Sequence, residues 1–364
     1  MIPLFKVHMP ETVVAPLSET ILCGFIGEGP RVKEFEADLG AFFGNPHVLT
    51  LNSCTSALQL ALRLSNVEAG DEVISTAMTC TATNEPVMAA GAKLVWADID
   101  PTTGNIDAAA IEKKITNKTK AIIVVHWGGT PVALDRVNAI AQAKGIKVIE
   151  DAAHAAGAVY KGKRLGAHSD FVCYSFQAIK HITTVDGGAL FCKSEADYKR
   201  GKLLRWYGID REQPRADFRC EEDIAEWGYK FHMNDVAARL GIVQLPYLEG
   251  ILTQRRELAA YYDQALAGVP GVRLCKWPKD STSAYWLYTM FVEKRTTFMA
   301  AMKERNVAVS QVHARNDKHT MFKQFVSDLP GVDAFTKEMI CIPIGFWIGK
   351  AEREQVVEAI RRGW

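Results

Sequence analysis

Seven short runs of apolar residues, spaced by segments of helical or polar character, constrain this chain more than anything else in it. HVLTLN, EVIST, KLVWADI, KAIIVV, KVIED, DFVCYSF and GALFCK read as strands, and most are continuously apolar rather than alternating. A strand that is apolar on both sides must be covered on both sides, which is the environment of a mostly parallel sheet sandwiched between helices. The intervening segments supply those helices. PRVKEFEADLGAFFG places Val32, Phe35, Leu39 and Phe42 at helical spacing and stops at Gly44. TSALQLALRL follows the first strand, and a helix reaching about Ala90 follows the second. Asp107 can cap AAAIEKKI, and LDRVNAIAQAK stops at Gly145. The expected architecture is α/β. A large domain over residues 1–245, N-terminal arm included, carries a mostly parallel seven-stranded sheet with helices on both faces. Past GIVQLPYLEG the texture changes to the long amphipathic ILTQRRELAAYYDQALAG, shorter strands and two further helices, read as a smaller C-terminal α+β domain over 246–364.

Charge and composition remove several classes of function. The formal net charge is +1 and no long basic run occurs, so nucleic acid is not an expected partner. Runs such as AIIVV are far too short to span a membrane. Cysteines at 23, 54, 80, 173, 192, 220, 275 and 341 form no C-x-x-C pair, and several lie in apolar runs. They read as small buried hydrophobes of a reducing compartment, not as disulfides or metal ligands. MIPLFKVHMP lacks the apolar core of a signal peptide. A soluble cytoplasmic protein without a metal site is the expectation.

In open α/β sheets ligands bind beyond the carboxyl ends of the strands, and four such ends carry unusual residues. LNSCTSALQL puts Asn52, Ser53, Thr55 and Ser56 between a strand and a helix start, where backbone N–H groups and hydroxyls can hold an anion. Simple N-capping is the plainer reading. Neither a Walker lysine nor G-x-G-x-x-G accompanies it, which argues against a triphosphate or a dinucleotide. KVIEDAAHAAG ends a strand in Asp151, which either caps a turn or holds a proton on a bound heteroaromatic nitrogen, with His154 nearby. YSFQAIK sets Ser175 at a strand end and Lys180 five residues on. Such a lysine is commonly a surface charge, but becomes a nucleophile toward carbonyl carbon when its pKa is lowered. RWYGIDRE offers Arg205 to a substrate anion, although an arginine at a helix C-terminus is commonly structural.

One ligand needs a phosphate cradle, a carboxylate for a pyridine nitrogen and an amine for an aldehyde together: pyridoxal 5′-phosphate. Lys180 then reaches the aldehyde, and Gly187 and Gly188 let the backbone pass close beneath it.

The blocks GEGPRVKEFEADLGAFFG, LNSCTSALQLAL, EDAAHAAGAVYKGKRLGAHSD, SFQAIKHITTVDGGAL and GYKFHMNDVAARLGIVQL, in that order, resemble the DegT/DnrJ/EryC1/StrS family of sugar aminotransferases, of the aspartate-aminotransferase fold, fold type I. The resemblance implies that Lys180 joins the cofactor aldehyde, that Asp151 pairs with the pyridine nitrogen and that His154, where many members have glutamine, lies near the phenolic oxygen. Ser53, Cys54, Thr55 and Ser175 would bind the phosphate. Cys80 stands where many members stack an aromatic on the cofactor. Lys230, in GYKFHMN, would reach the partner's site in a homodimer with shared active sites; with His232 it replaces the more usual asparagine and arginine. TTVDGG replaces the common TTGEGG. Arg315, Arg205 and Lys230 are candidates for substrate anions, and His181 is grouped with the substrate contacts. The implied reaction moves an amino group from L-glutamate to a keto-sugar carried on a nucleotide, in amino-sugar biosynthesis such as that of lipopolysaccharide O-antigen. Two rivals are a sugar dehydratase or lyase of the same family, whose dehydratase branch carries histidine in place of the lysine, and a non-catalytic regulator.

Overall fold

The computed structural model describes residues 1–213 and 223–364, so Cys220 lies outside the described residues. The strands are β1 (Val48–Leu51), β2 (Glu72–Ser75), β3 (Lys93–Trp96), β4 (Thr119–Val125), β5 (Lys147–Asp151), β6 (Val159–Tyr160), β7 (Lys163–Arg164), β8 (Phe171–Ser175), β9 (Gly188–Cys192), β10 (Val272–Leu274), β11 (Ser281–Thr282), β12 (Tyr288–Val292) and β13 (Met339–Ile342). The α-helices are α1 (Val14–Leu22), α2 (Pro30–Phe43), α3 (Cys54–Leu64), α4 (Thr81–Ala89), α5 (Ala108–Lys114), α6 (Leu134–Lys144), α7 (Glu195–Leu204), α8 (Asp235–Gln244), α9 (Leu248–Leu266), α10 (Arg295–Glu304), α11 (Pro330–Glu338) and α12 (Lys350–Arg361).

All seven expected strands join one sheet, in the order β1-β9-β8-β5-β4-β2-β3. β9 runs antiparallel to both neighbours, and the remaining pairings are parallel. The continuous apolar runs have the expected cause. In β4, Ile122 and Val124 enter the core that holds α2 and α6, while Ala121 and Ile123 enter the opposite core with α3. Both isoleucines are fully buried, which stabilises the fold by about 2–3 kcal/mol each. α2 closes on Gly44 at φ 74° and α6 on Gly145 at φ 67°, and Asp107 caps α5 by accepting from the Ala109 N–H.

Some details differ from the sequence reading. The buried phenylalanine near the end of α2 is Phe43; Phe42 is partly buried and lies under the Arg164 guanidinium, 4.1 Å from its ring centroid. The N-terminal arm contains α1, and β6, β7 and β11 make a small separate sheet. After α9 come three α-helices rather than two, packed with the antiparallel sheet β10-β12-β13. α9 serves two cores: Leu248 and Leu252 pack with the main sheet, Leu258 and Tyr262 with the C-terminal strands. Cys54, Cys173, Cys192 and Cys341 are buried and unpaired as expected, but Cys23 is exposed. Among the described residues no helix is long and apolar enough to cross a membrane, and no cluster of three or more His, Cys, Asp or Glu is placed to hold a metal ion.

Candidate active site

The carboxyl ends of β1, β5 and β8 converge on one place. β1 gives way to α3 through Ser53, whose extended backbone (φ −165°, ψ 161°) lets its Oγ accept from the Ser56 N–H at 3.0 Å. Ser56 Oγ in turn donates to Asn52 Oδ1 at 2.7 Å. Capping is therefore real, and it leaves the first N–H groups of the helix, those of Cys54 and Thr55, for an anion. β9 begins directly against this turn. A Cβ on Gly188 would stand 2.5 Å from Cys54 N and 2.6 Å from the Ser53 carbonyl carbon. A Cβ on Gly187 would strike Thr184 and Met233. Gly188 is thus required by close backbone approach and Gly187 by the side chains packed against it, and the pair keeps the cradle open.

Asp151 ends β5 and is buried. One carboxylate oxygen accepts from the Ala153 N–H at 3.1 Å, the other from Thr83 Oγ1 at 2.7 Å. Thr83 is itself hydrogen-bonded to Thr79 at 2.7 Å. Two donors fix the carboxylate while leaving lone pairs for a third. Lys180 follows β8 on a turn in which its N–H donates to the Gln177 carbonyl at 2.9 Å. Its ammonium lies 3.7 Å from the centroid of the Trp286 ring. Burial pushes the Lys180 amine down from 10.5 to about 8, against the opposing pull of Asp151. At neutral pH roughly one lysine in ten is then free amine, several hundredfold more than for an unperturbed lysine.

An aromatic stack forms the wall of this place. His154 lies on Trp286, with centroids 3.9 Å apart and planes 18° apart. His313 is parallel to His154 at 5.5 Å. Trp127 meets both histidines edge-on, and Trp286 Nε1 donates to the Ile179 carbonyl at 2.9 Å. Burial first, then the charge of Lys180, drives His154 well below its ordinary value and His313 to about 4. Both rings are neutral at physiological pH.

The remaining sequence candidates divide. Ser175 is buried at the end of β8, where its Oγ accepts from the Gln177 N–H at 3.3 Å. Cys80 is the N-terminal boundary residue of α4 and half-buried, close enough to Lys180 to act on its charge. His181 is buried with Nε2 donating to the Ala284 carbonyl at 2.9 Å, and its Nδ1 has no partner among the described residues. Arg205 is buried against Glu28 and Glu36 and also donates to the Thr50 carbonyl at 2.9 Å. It borders a cavity of about 780 Å³ with Lys33, Tyr198 and Trp206, to which neither Lys180 nor Asp151 contributes. Arg315 is held by Asp317 and Asp333. The charges of both arginines are already matched within the chain. Lys230 is exposed, its carbonyl accepting from Asn52 Nδ2 at 3.4 Å, and the neighbouring Phe231 carbonyl accepts from the Asn52 N–H at 2.7 Å. Reasoning from sequence missed Thr83, Trp286 and His313. Thr83 stood in TCTATN just past a strand end, a legible signal; Trp286 and His313 come from distant segments with no periodicity to mark them.

An open helix N-terminus, a donor-fixed carboxylate and a lysine of lowered pKa fit the phosphate, ring nitrogen and aldehyde of pyridoxal 5′-phosphate. Set on the carboxyl edge of a mostly parallel seven-stranded sheet, they define a fold type I aminotransferase dependent on that cofactor. Comparison with known proteins narrows the class: residues 9–361 match the DegT/DnrJ/EryC1/StrS aminotransferase family, and the chain belongs to it. The solved structure of AtS13 from Actinomadura melliaura is 42% identical, covers 100% of this chain and 99% of its own, and superposes with a TM-score of 0.96. The sugar aminotransferase CalS13 from Micromonospora echinospora is 38% identical, with both chains fully covered and a TM-score of 0.96. The spore coat polysaccharide biosynthesis protein SpsC of Bacillus subtilis (strain 168) is 32% identical over 96% of this chain and 93% of its own length.

Proposed function

We propose that this enzyme transfers the amino group of L-glutamate to a keto-sugar carried on a nucleotide, releasing 2-oxoglutarate and an amino-sugar. The observation that carries the reading is the Lys180 amine, lowered to about 8 by burial beside a carboxylate fixed by two donors. A proton must leave the α-carbon of the donor and later be delivered to the sugar carbon, and an amine poised near neutrality can do both. Bound pyridoxal 5′-phosphate supplies the electron sink for the pair left on carbon. Asp151 holds the ring-nitrogen proton that makes the sink effective, with Thr83 and the Ala153 N–H orienting it. Cys54, Thr55, Ser53 and Ser175 hold the phosphate, and His154 takes the phenolic oxygen. Two copies share their sites, with the exposed Lys230 of one meeting an anionic group in the other. A lysine at position 180, where the dehydratase branch has histidine, favours amino transfer over dehydration.

The test separates the half-reactions. Holoenzyme mixed with L-glutamate should release one equivalent of 2-oxoglutarate per site as the cofactor's absorbance shifts. Addition of a nucleotide-linked keto-sugar should reverse the shift and yield the amino-sugar by mass spectrometry. Ammonia or a deoxygenated keto-sugar as product would instead establish a lyase or dehydratase.

A further inference from the structure

His313 is a group without an assigned task. Its Nε2 is shielded from solvent and has no hydrogen-bond partner among the described residues, and the same is true of Nδ1 of His154 in the ring stacked parallel to it. Leaving such an atom buried and unpaired is unfavourable. The backbone leading to it is also strained. Val312 is β-branched and sits at φ 63°, in the left-handed region that β-branched residues avoid.

The loop is held in this conformation from both ends. Before it, Ser310 exchanges backbone hydrogen bonds with Cys341 in β13, at 3.2 and 2.8 Å, and its Oγ accepts from the Val312 N–H at 2.9 Å. After it, the N–H of the fully buried Asn316 donates to the Ala77 carbonyl at 2.7 Å. The Asn316 side chain donates to the Thr79 carbonyl at 2.7 Å and accepts from Asn84 at 2.8 Å. These partners belong to the segment that carries Thr83, so the loop and the Asp151 support are fastened together. Two unfavourable features, strain and an orphaned nitrogen, are thus maintained beside Lys180 by anchors on either side.

We propose that His313 is a specificity-determining residue, whose Nε2 makes a hydrogen bond to a hydroxyl on the carbon next to the reacting carbonyl of the sugar. The inference rests on the keto-sugar reading above. Its chemistry excludes the other partner in the reaction. A ring held neutral by burial and by Lys180 is a poor ligand for the carboxylates of glutamate, which call for a cation. A hydroxyl both gives and accepts, so it pairs with either neutral tautomer.

The test compares two acceptors, a dTDP-linked hexos-4-ulose and its analogue lacking the hydroxyl at carbon 3, by kcat/KM for amino-sugar formation. Wild-type enzyme should prefer the hydroxylated acceptor by about tenfold or more. His313→Phe keeps a ring in the stack and removes the nitrogen; it should bring the ratio to within about twofold of unity. His313→Gln, which retains a polar atom, should recover part of the preference. His313→Leu provides the same comparison if the phenylalanine variant does not fold. A purely structural histidine would lower both rates together and leave the ratio unchanged, which would overturn the proposal. So would a wild-type ratio of one. If wild-type enzyme releases 2-oxoglutarate but aminates neither sugar, the keto-sugar reading itself falls and this inference with it.

Discussion

Replacing Gly188 by alanine tests the phosphate cradle at its narrowest point. The new Cβ would lie 2.5 Å from Cys54 N and 2.6 and 2.7 Å from the carbonyl carbon and oxygen of Ser53. All three are backbone atoms, so no side chain can swing aside. Either the start of β9 or the first turn of α3 must retreat by roughly half an ångström or more, an overpacking fault worth about 1–3 kcal/mol of stability. The same displacement misdirects the Cys54 N–H. A charge-assisted hydrogen bond from backbone to phosphate contributes about 1.5–3 kcal/mol. Its loss should weaken pyridoxal phosphate binding by about 10- to 150-fold. Affinity is measured by absorbance titration of the apo-protein, and apo stability separately by urea unfolding. Gly201→Ala is the control: its Cβ would come 2.8 Å from Leu49 Cδ1 and 3.2 Å from Leu64 Cδ1, a crowding fault against movable side-chain ends and outside the cradle. That variant should keep its cofactor affinity. Wild-type affinity in a folded Gly188→Ala protein would refute the assignment of Cys54 to the phosphate.

Four further outcomes follow from the same geometry. Thr83→Val removes one of the two donors to Asp151 and should reduce kcat about tenfold while the cofactor is retained; an unchanged kcat would show that the Ala153 N–H alone suffices. Acylation of Lys180 in the apo-protein, followed by peptide mass spectrometry, should show half-maximal reactivity near pH 8 rather than 10.5. Because the folded-state pKa lies below the unfolded one, the unfolded chain binds more protons between those values, so Lys180 should make apo stability rise with pH from about 8 to 10.5, an increment that Lys180→Met abolishes. Arg205→Met leaves Glu28 and Glu36 without their buried cation and should cost about 3–5 kcal/mol in urea unfolding, with little change in the KM for glutamate; a stable variant with a raised KM would return Arg205 to the substrate.

The sequence was informative wherever local chemistry and position in the chain coincide, and silent where a residue's role depends on what the fold brings to it. The seven strands were legible because burial on both faces leaves a mark in every residue of the strand, as Ala121 to Val124 show by dividing between two cores. Lys180, Asp151 and the Ser53 turn were legible because each stands at a strand end, and the order of strands in the sheet then brings those ends together. Arg205 and Arg315 were read as anion ligands for the complementary reason. An arginine in a helix or loop looks available until its counter-charges are known, and Glu28 and Glu36 lie far back in the chain from Arg205. His313 is the clearest case of the limit. In VHARNDKH it is one histidine among polar residues, and the arginine two positions on drew the attention. Only the folded chain reveals that the histidine's nitrogen is unpaired among the described residues while the arginine is held by two aspartates. The features that mark His313, a strained Val312 and a missing partner, are departures from the low-energy arrangement that local propensity describes. Sequence patterns report where a chain satisfies itself. Residues left unsatisfied for a ligand therefore have to be sought in the structure, among the groups whose cost nothing in the chain offsets.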